Sequence, residues 1–568
     1  MKIRYKIKNF KSFSDSGDIE FSPITLLCGV NSAGKSSIIK SILLTKQSSL
    51  DRRSSLSTAV MSQPLILNGE LTKLGSWGDT ITNKIKEHRL GFSWSVDLTH
   101  QEYMDFLNRA GIQSARTRKK REHSVEMSVT LSSDPQRPEE LSIRVDGWEL
   151  KLDNSRVTVD RSKNIGDSGS FVYRVLIKDL GKFVSREGTQ VGRYGLYLGD
   201  VLGALKSEDG SLALGNISVN TIGPFFGNAR PIFDDSWSDF FDSVLEISER
   251  HRGVKRGPRP KWIDQLSTAA RAYRAAKSSD RRELTRSPTM RALTFLAFEM
   301  VEEVSRSFLE SKAALAPMWR DIRYLGPLRD QPRRFYQFDD TGGADVGVSG
   351  EFTVQVLAIE QAHHLAATQM TPPPKGSIYP APKSDTLLSH TNHWLSYMAL
   401  PHVSPQSLQQ SLYKLEVGDL GVGLLDVGFG VSQVLPIIVE SLRARPGELV
   451  ILEQPEIHLH PKVQAQLADF LIARSRDGVR FLVESHSEYL IKRLCRRVAE
   501  SEDPSGELNS LSSIYFVEGS PDGARCNRVS VNEFGEIENW PRGFFDLDED
   551  LHWTKASLQK RRKRKLSL

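Results

Sequence analysis

Gly29-Val30-Asn31-Ser32-Ala33-Gly34-Lys35-Ser36-Ser37 is the stretch on which the reading of this chain turns. The apolar run Ile24-Thr25-Leu26-Leu27-Cys28 precedes it, and Ile38-Ile39-Lys40-Ser41-Ile42-Leu43-Leu44 follows it. That pattern is a strand, a glycine-bearing loop and a helix. Gly29, Gly34, Lys35 and Ser36 match the spacing GxxxxGK[ST] of a phosphate-binding loop. The glycines let backbone N–H groups curl around phosphate oxygens, and the helix N-terminus adds partial positive charge. Asn31, Gly34, Lys35, Ser36 and Ser37 are therefore the candidate nucleotide contacts. Lys35 is expected on the β- and γ-phosphates, and Ser36 on Mg²⁺. The cofactors expected are ATP and Mg²⁺.

The rest of the composition sets limits. At 568 residues the chain exceeds one ordinary domain, and 39% hydrophobic with 26% charged residues describes a globular protein. No run reaches the roughly 18 to 20 apolar residues of a membrane span, so no membrane is expected as a partner. Met1-Lys2-Ile3-Arg4-Tyr5-Lys6 lacks the apolar core of a secretory leader. Cys28, Cys495 and Cys526 lie far apart with no CxxC pair, which argues against a disulfide framework or a zinc site. A cytoplasmic location is expected on these grounds.

Charge is unevenly spread. The net charge is +6, and Lys560-Arg561-Arg562-Lys563-Arg564-Lys565 supplies six positives, which leaves the remainder neutral. Between Arg250 and Arg291 thirteen Lys and Arg stand against three Asp and Glu. Such a block suits nucleic acid or an acidic partner, with a solvated helical face as the alternative. Residues 100–225 read as short alternating strands, clearest in Val125-Glu126-Met127-Ser128-Val129-Thr130-Leu131. Residues 236–320 read as helical, and the proline-rich run from Thr371 to Pro382 reads as a loop or linker.

The second half of a nucleotide site lies far downstream. Leu449-Val450-Ile451-Leu452-Glu453-Gln454-Pro455-Glu456 is an apolar strand ending in carboxylates. An acid delivered at such a strand end is how phosphate-loop enzymes hold Mg²⁺, so Glu453 joins Ser36 as a candidate metal ligand. Arg480-Phe481-Leu482-Val483-Glu484-Ser485-His486-Ser487 is a second apolar strand, and His486 at its end can reach a γ-phosphate. Asp426-Val427-Gly428-Phe429-Gly430-Val431-Ser432-Gln433 is a Gly/Ser loop entering an apolar helix, a further anion site by its N-terminal amides.

These pieces, in this order after an N-terminal phosphate loop, resemble the ABC-type ATPase heads of the SMC, RecF and OLD families. Gly-Pro-Leu-Arg at 326–329, Val346-Gly347-Val348-Ser349-Gly350-Glu351, Glu-Gln-Pro-Glu-Ile-His-Leu-His-Pro at 453–461 and Asn539-Trp540-Pro541-Arg542-Gly543-Phe544-Phe545-Asp546 resemble prokaryotic OLD-like AAA ATPases. That group includes ATPases of Septu-type and retron-associated phage defence. The resemblance covers both ends, about half of the chain. It implies an α/β fold, an ABC-type head split into two lobes by an inserted β-plus-helical region. The implied division is a first lobe at 1–97, an insertion at 98–322, a second lobe at 323–550 and a basic tail at 551–568. It further implies a head-to-tail homodimer or higher homo-oligomer, with Lys35 and Ser36 acting on ATP in cis and Ser432 in trans.

The chain departs from the family pattern where catalysis is concerned. The pattern ends its acidic strand in Asp-Glu, and this chain has Glu453-Gln454. An amide cannot accept a proton as a general base, although it can orient a water. Glu456 is the alternative base, and His460 falls near the usual D-loop aspartate. Slow hydrolysis and a long-lived ATP-bound dimer are expected. OLD proteins often carry a C-terminal nuclease opening on a strand that ends Glu-Gly. Ile514-Tyr515-Phe516-Val517-Glu518-Gly519 with Asp546-Leu547-Asp548 imitates it, but the acid spacing is short and a closing hairpin is the preferred reading. The functional expectation is an ATP-driven switch controlling a separate effector, such as a nuclease, in anti-phage defence. The competing expectation is a RecF- or SMC-like DNA-binding clamp in DNA maintenance.

Overall fold

The structure is a computed structural model. It describes residues 2–49, 65–82, 89–109, 122–133, 143–152, 155–165, 171–178, 190–191, 196–197 and 211–218, isolated positions between 268 and 318 and at 365, then 321–337, 345–362, 369–374, 380–409, 412–501 and 507–539. The basic block at 250–291, the motif beyond Asn539 and the basic tail lie outside the described residues, apart from isolated helical positions within the block. The chain divides into two units, Met1–Ile19 with Lys40–Arg320, and Glu20–Ile39 with Asp321–Leu568.

In the first unit, one antiparallel sheet runs in space from Ser211–Ser218 through Phe171–Lys178, Ser155–Ile165, Ile143–Leu152, Glu122–Ser133, Arg89–Thr99 and Lys2–Phe10 to Phe13–Asp15. Strict alternation sets its register. In Arg89–Thr99 the buried residues are Leu90, Phe92, Trp94, Val96 and Leu98, and polar residues occupy most positions between them. That is the signature of a sheet with one covered face. The N-terminal strand and the strands after residue 100 thus share one sheet, and a division at 97 would cut through Arg89–Thr99. Cross-strand hydrogen bonds, which no local pattern encodes, decide this.

The second unit carries the candidate site. The strands of its parallel-based sheet and its longer helices in chain order are β1 (Ile24–Gly29), α1 (Lys35–Ser49, of which Lys35–Ile39 fall in this unit), β2 (Ile322–Leu325), α2 (Thr353–Glu360), α3 (Leu387–Tyr397), α4 (Phe429–Arg443), β3 (Leu449–Glu453), α5 (Pro461–Arg476), β4 (Arg480–Glu484), α6 (Glu488–Ala499), β5 (Ser512–Ser520) and β6 (Gly523–Val529). The sheet order is β2-β3-β4-β1-β5-β6, parallel from β2 to β5, with β6 closing as an antiparallel hairpin. The fold is α/β. Every residue of β1 and β3 is buried, as continuous apolar runs require in a parallel sheet covered on both faces. Ile24, Leu26, Val450, Leu452, Phe481 and Val483 share one apolar core with Val434, Leu435, Ile438 and Leu442 of α4 and Leu467, Phe470 and Leu471 of α5.

Two local expectations change. Part of the proline-rich run forms a ladder, Gln369–Thr371 against Ala381–Lys383, with Pro382 opposite Met370. A two-stranded ladder leaves each strand a free edge, where a proline without an N–H is tolerated. The Gly/Ser loop before α4 is shorter than its composition suggests, because helix begins at Phe429 and already contains Ser432.

Candidate functional site

The candidate site gathers at the carboxyl ends of β1, β3 and β4, where ligands bind in open parallel sheets. At the end of β1, Gly29 has φ 137° and Gly34 has φ 115°, both in the left-handed half of backbone space. A Cβ on Gly29 would stand 2.1 Å from the carbonyl oxygen of Val517 on β5. Glycine is therefore required there by backbone packing as well as by the loop. The Lys35 side chain is 3% exposed and folds back over the loop, donating from Nζ to the carbonyls of Gly29 (3.1 Å) and Val30 (2.8 Å). Burial pushes its pKa down, and the carboxylates of Glu484 and Glu456 oppose that shift. Asn31 and Ser32 are exposed, Gly34, Ser36 and Ser37 are half-buried, and the Ser37 amide donates to Gly34 at 2.9 Å.

The sheet register aligns two acids. Glu453 at the end of β3 is the partner of Glu484 at the end of β4, and Glu484 in turn is the partner of Leu27 on β1. Ser36 Oγ donates to the Glu484 carboxylate, 2.9 Å from Oε2 and 3.1 Å from Oε1. Glu453 Oε1 accepts instead from the Tyr324 hydroxyl of β2 at 2.8 Å. Both acids are buried, at 6% exposure for Glu453 and 3% for Glu484. Of the two residues expected to share a metal ion, Ser36 thus bonds Glu484 and Glu453 bonds Tyr324.

Beyond β3 the chain makes a strained turn. Gln454 has φ 45° and His458 has φ 60°, both uncommon for residues with a Cβ. The Gln454 amide donates to the Glu484 carbonyl at 2.8 Å, which holds the turn against β4. Glu456 comes back to the sheet, and its Oε1 accepts the His486 backbone N–H at 2.6 Å. Its Oε2 is buried and makes no hydrogen bond. Burial raises the Glu456 pKa, while the His486 amide and the Arg329 charge pull it back. The His486 ring is exposed at the strand end, and desolvation together with the Lys35 charge lowers its pKa, favouring the neutral imidazole.

Arg329 completes the cluster from the segment after β2. All three of its guanidinium nitrogens are buried and make no hydrogen bond. Tyr324, Glu453 and Glu456 are its electrostatic neighbours, and burial pushes its pKa down to about 10, so it stays charged at neutral pH. Arg329, Tyr324 and Glu484 were not among the expected site residues. The signal for Glu484 was an ionisable residue at the end of an otherwise apolar strand, and Arg329 lay inside the Gly-Pro-Leu-Arg motif.

The other expected residues lie apart. Ser432 is 7% exposed in the first turns of α4 and lines a shallow pocket with Asp330, Ser349, Glu351 and Leu435. Gly428 before the helix is exposed, and nothing stands within 4 Å of where its Cβ would be. His460 is the N-cap of α5, and its Nδ1 accepts from the Lys462 amide at 3.2 Å. Glu518 lies on the β5–β6 hairpin and accepts from Asn527 at 2.7 Å, whereas Asp546 and Asp548 are outside the described residues. Among the described residues no group of three or more His, Cys, Asp and Glu is arranged to hold a metal by itself.

Sequence comparison agrees with this geometry. Residues 1–124 match the family described as an AAA ATPase domain, and residues 300–492 match the family described as an AAA domain, putative AbiEii toxin, type IV toxin–antitoxin system. Two separate stretches of the chain thus match AAA ATPase domains. Residues 509–551 match a family described only as a protein of unknown function. No curated protein sequence matches the chain. Similar solved structures include the SMC head domain from Thermotoga maritima, at 9% identity and TM-score 0.32, covering 94% of this chain and 100% of that one. Another is the Smc head domain with a coiled coil and joint from Pyrococcus yayanosii, at 11% identity and TM-score 0.32, covering 93% and 98%. A third is an Smc head bound to the C-terminal winged-helix domain of ScpA, at 10% identity and TM-score 0.32, covering 93% and 98%.

Proposed function

We propose that this protein is an ATP-binding, slowly hydrolysing switch that works as a dimer of heads and controls a separate effector, such as a nuclease, in prokaryotic anti-phage defence. The observation that carries the nucleotide reading is the convergence of Lys35, Ser36, Glu453, Glu484, Glu456 and His486 at one end of one parallel sheet, in which Ser36 and Glu484 are bonded across 448 residues of sequence. Hard oxygen donors beside a buried lysine suit Mg²⁺ and the phosphates of ATP. Ser36 and the acids at the strand ends would hold Mg²⁺, which would supply neutralisation of phosphate charge. Lys35 contributes its own charge once released from the loop carbonyls. Glu456 holds the His486 amide, and Gln454 in its turn faces the same strand end, where an amide orients rather than deprotonates water. Dimerisation by way of the exposed turn at Gly428 and the helix that follows supplies anion-binding amides to a second head. The description of the 300–492 match as a putative AbiEii toxin of a toxin–antitoxin system supports a role paired with a second component.

The test is direct. Lys35→Ala should abolish binding of a fluorescent ATP analogue and ATP-dependent dimerisation, and should abolish protection of cells against phage. A Lys35→Ala protein that still protects cells would refute the switch. Strong ATP-dependent DNA binding by the purified chain without any second component would instead favour the clamp reading.

A further inference from the structure

We propose that Glu484, the last residue of β4, is the carboxylate that holds Mg²⁺ together with Ser36, and that Glu453 serves beside it as a positioned neighbour. The proposal rests on the nucleotide reading given above and assigns the metal within it. Three observations carry it. First, Ser36 Oγ, the hydroxyl that the phosphate-loop motif reserves for the metal, lies 2.9 and 3.1 Å from the two Glu484 oxygens. Second, Glu453 Oε1 accepts from the Tyr324 hydroxyl on the far neighbouring strand at 2.8 Å. The sheet order puts β4 between β3 and β1, so the Glu484 backbone is one strand from β1 and that of Glu453 is two, about 5 and 10 Å at ordinary strand spacing. Third, the surroundings hold buried polar groups that lack partners, Glu456 Oε2 and the Arg329 guanidinium, as a site that awaits ligands would. Mg²⁺ takes one or two carboxylates plus phosphate oxygens and water, so one acid beside Ser36 is a sufficient protein contribution.

The experiment uses the full chain with Mn²⁺ as the probe and a non-hydrolysable ATP analogue. Free Mn²⁺ is read by electron paramagnetic resonance, and analogue binding without metal is read by fluorescence. Glu484→Gln should weaken Mn²⁺ in the ternary complex by about 10-fold or more, the range lost with metal-site residues, while metal-free analogue binding stays near wild type. Glu453→Gln should have the smaller effect on Mn²⁺. Equal or greater loss with Glu453→Gln overturns the assignment. Tighter Mn²⁺ binding with Glu484→Gln also overturns it, because Glu484 would then be a cap that competes for Ser36. If circular dichroism shows that Glu484→Gln does not fold, Glu484→Asp replaces it, with an intermediate loss expected and no loss overturning the proposal. Failure of the wild-type chain to bind the analogue at all refutes the nucleotide reading itself, an outcome separate from failure of the Glu484 assignment.

Discussion

At the scale of single residues, the turn after β3 concentrates the unusual chemistry. Gln454 is held at φ 45°, a conformation that side-chain-bearing residues adopt at a cost, and it stands where the family pattern has a general base. Gln454→Gly should leave the fold intact and raise thermal stability by up to ~1 kcal/mol in the absence of nucleotide, because glycine adopts that φ freely. A loss of stability would mean that the Gln454 side chain holds the turn by contacts worth more than its strain. Glu456 is the stronger candidate for a base, since it is a buried carboxylate with one oxygen unpaired and a raised pKa. Glu456→Gln keeps a carbonyl for the His486 amide. Single-turnover hydrolysis should fall about 100-fold or more in this variant, while ATP affinity changes little. An unchanged rate would return the role to water orientation by Gln454.

At the scale of elements, two strand junctions hold the site in place. β1 and β5 approach so closely at Gly29 that no Cβ fits against the Val517 carbonyl. Gly29→Ala should destabilise the chain by about 1–3 kcal/mol or more in denaturant unfolding, as overpacking does, and should weaken ATP binding together with stability. β2 is held on the sheet by Arg323, whose guanidinium bridges Glu440 of α4 at 2.7 Å and Glu448 at 2.6 Å. Glu440 is 2% exposed and also meets Arg443 at 3.3 Å, so it keeps one partner if Arg323 is removed. The hydroxyl of Tyr324 on the same strand fixes Glu453. Tyr324→Phe should cost about 1–3 kcal/mol, the penalty for leaving a buried acceptor short of a donor. It should also change Mn²⁺ binding less than Glu484→Gln does.

At the scale of the whole molecule, the expected behaviour is association governed by nucleotide. The 63.8 kDa chain should approach twice that mass in light scattering when ATP and Mg²⁺ are present and hydrolysis is slow, and should not do so after Lys35→Ala. Among the described residues no helix is long and apolar enough to cross a membrane. The basic block at 250–291 is the expected nucleic-acid surface. If it serves as one, affinity should fall steeply with salt, and charge reversal across the block should flatten that dependence. Affinity insensitive to salt would exclude the block as that surface.

Much of the site was legible because its parts are local. A strand, a glycine-bearing loop and a helix specify a phosphate cradle within about twenty residues, and apolar runs that end in Glu453 and His486 announce strand ends of a buried parallel sheet. The sequence by itself therefore determined that Lys35 and Ser36 open the helix after the glycine-bearing loop and that Glu453, Glu456 and His486 stand at or just past strand ends. It could not rank the acids or place the cations, because those outcomes depend on strand order and register. β4 lies between β3 and β1, which brings Glu484 rather than Glu453 against Ser36. The segment after β2 turns Arg329 inward among carboxylates that follow it by more than a hundred residues. The same holds for Ser432, which looks like a loop residue by composition and is buried because the helix starts three residues earlier. Hydrogen bonds between strands distant in the chain decided these points, since a one-strand change of neighbour shifts an acid by about 5 Å, more than the reach of a hydrogen bond.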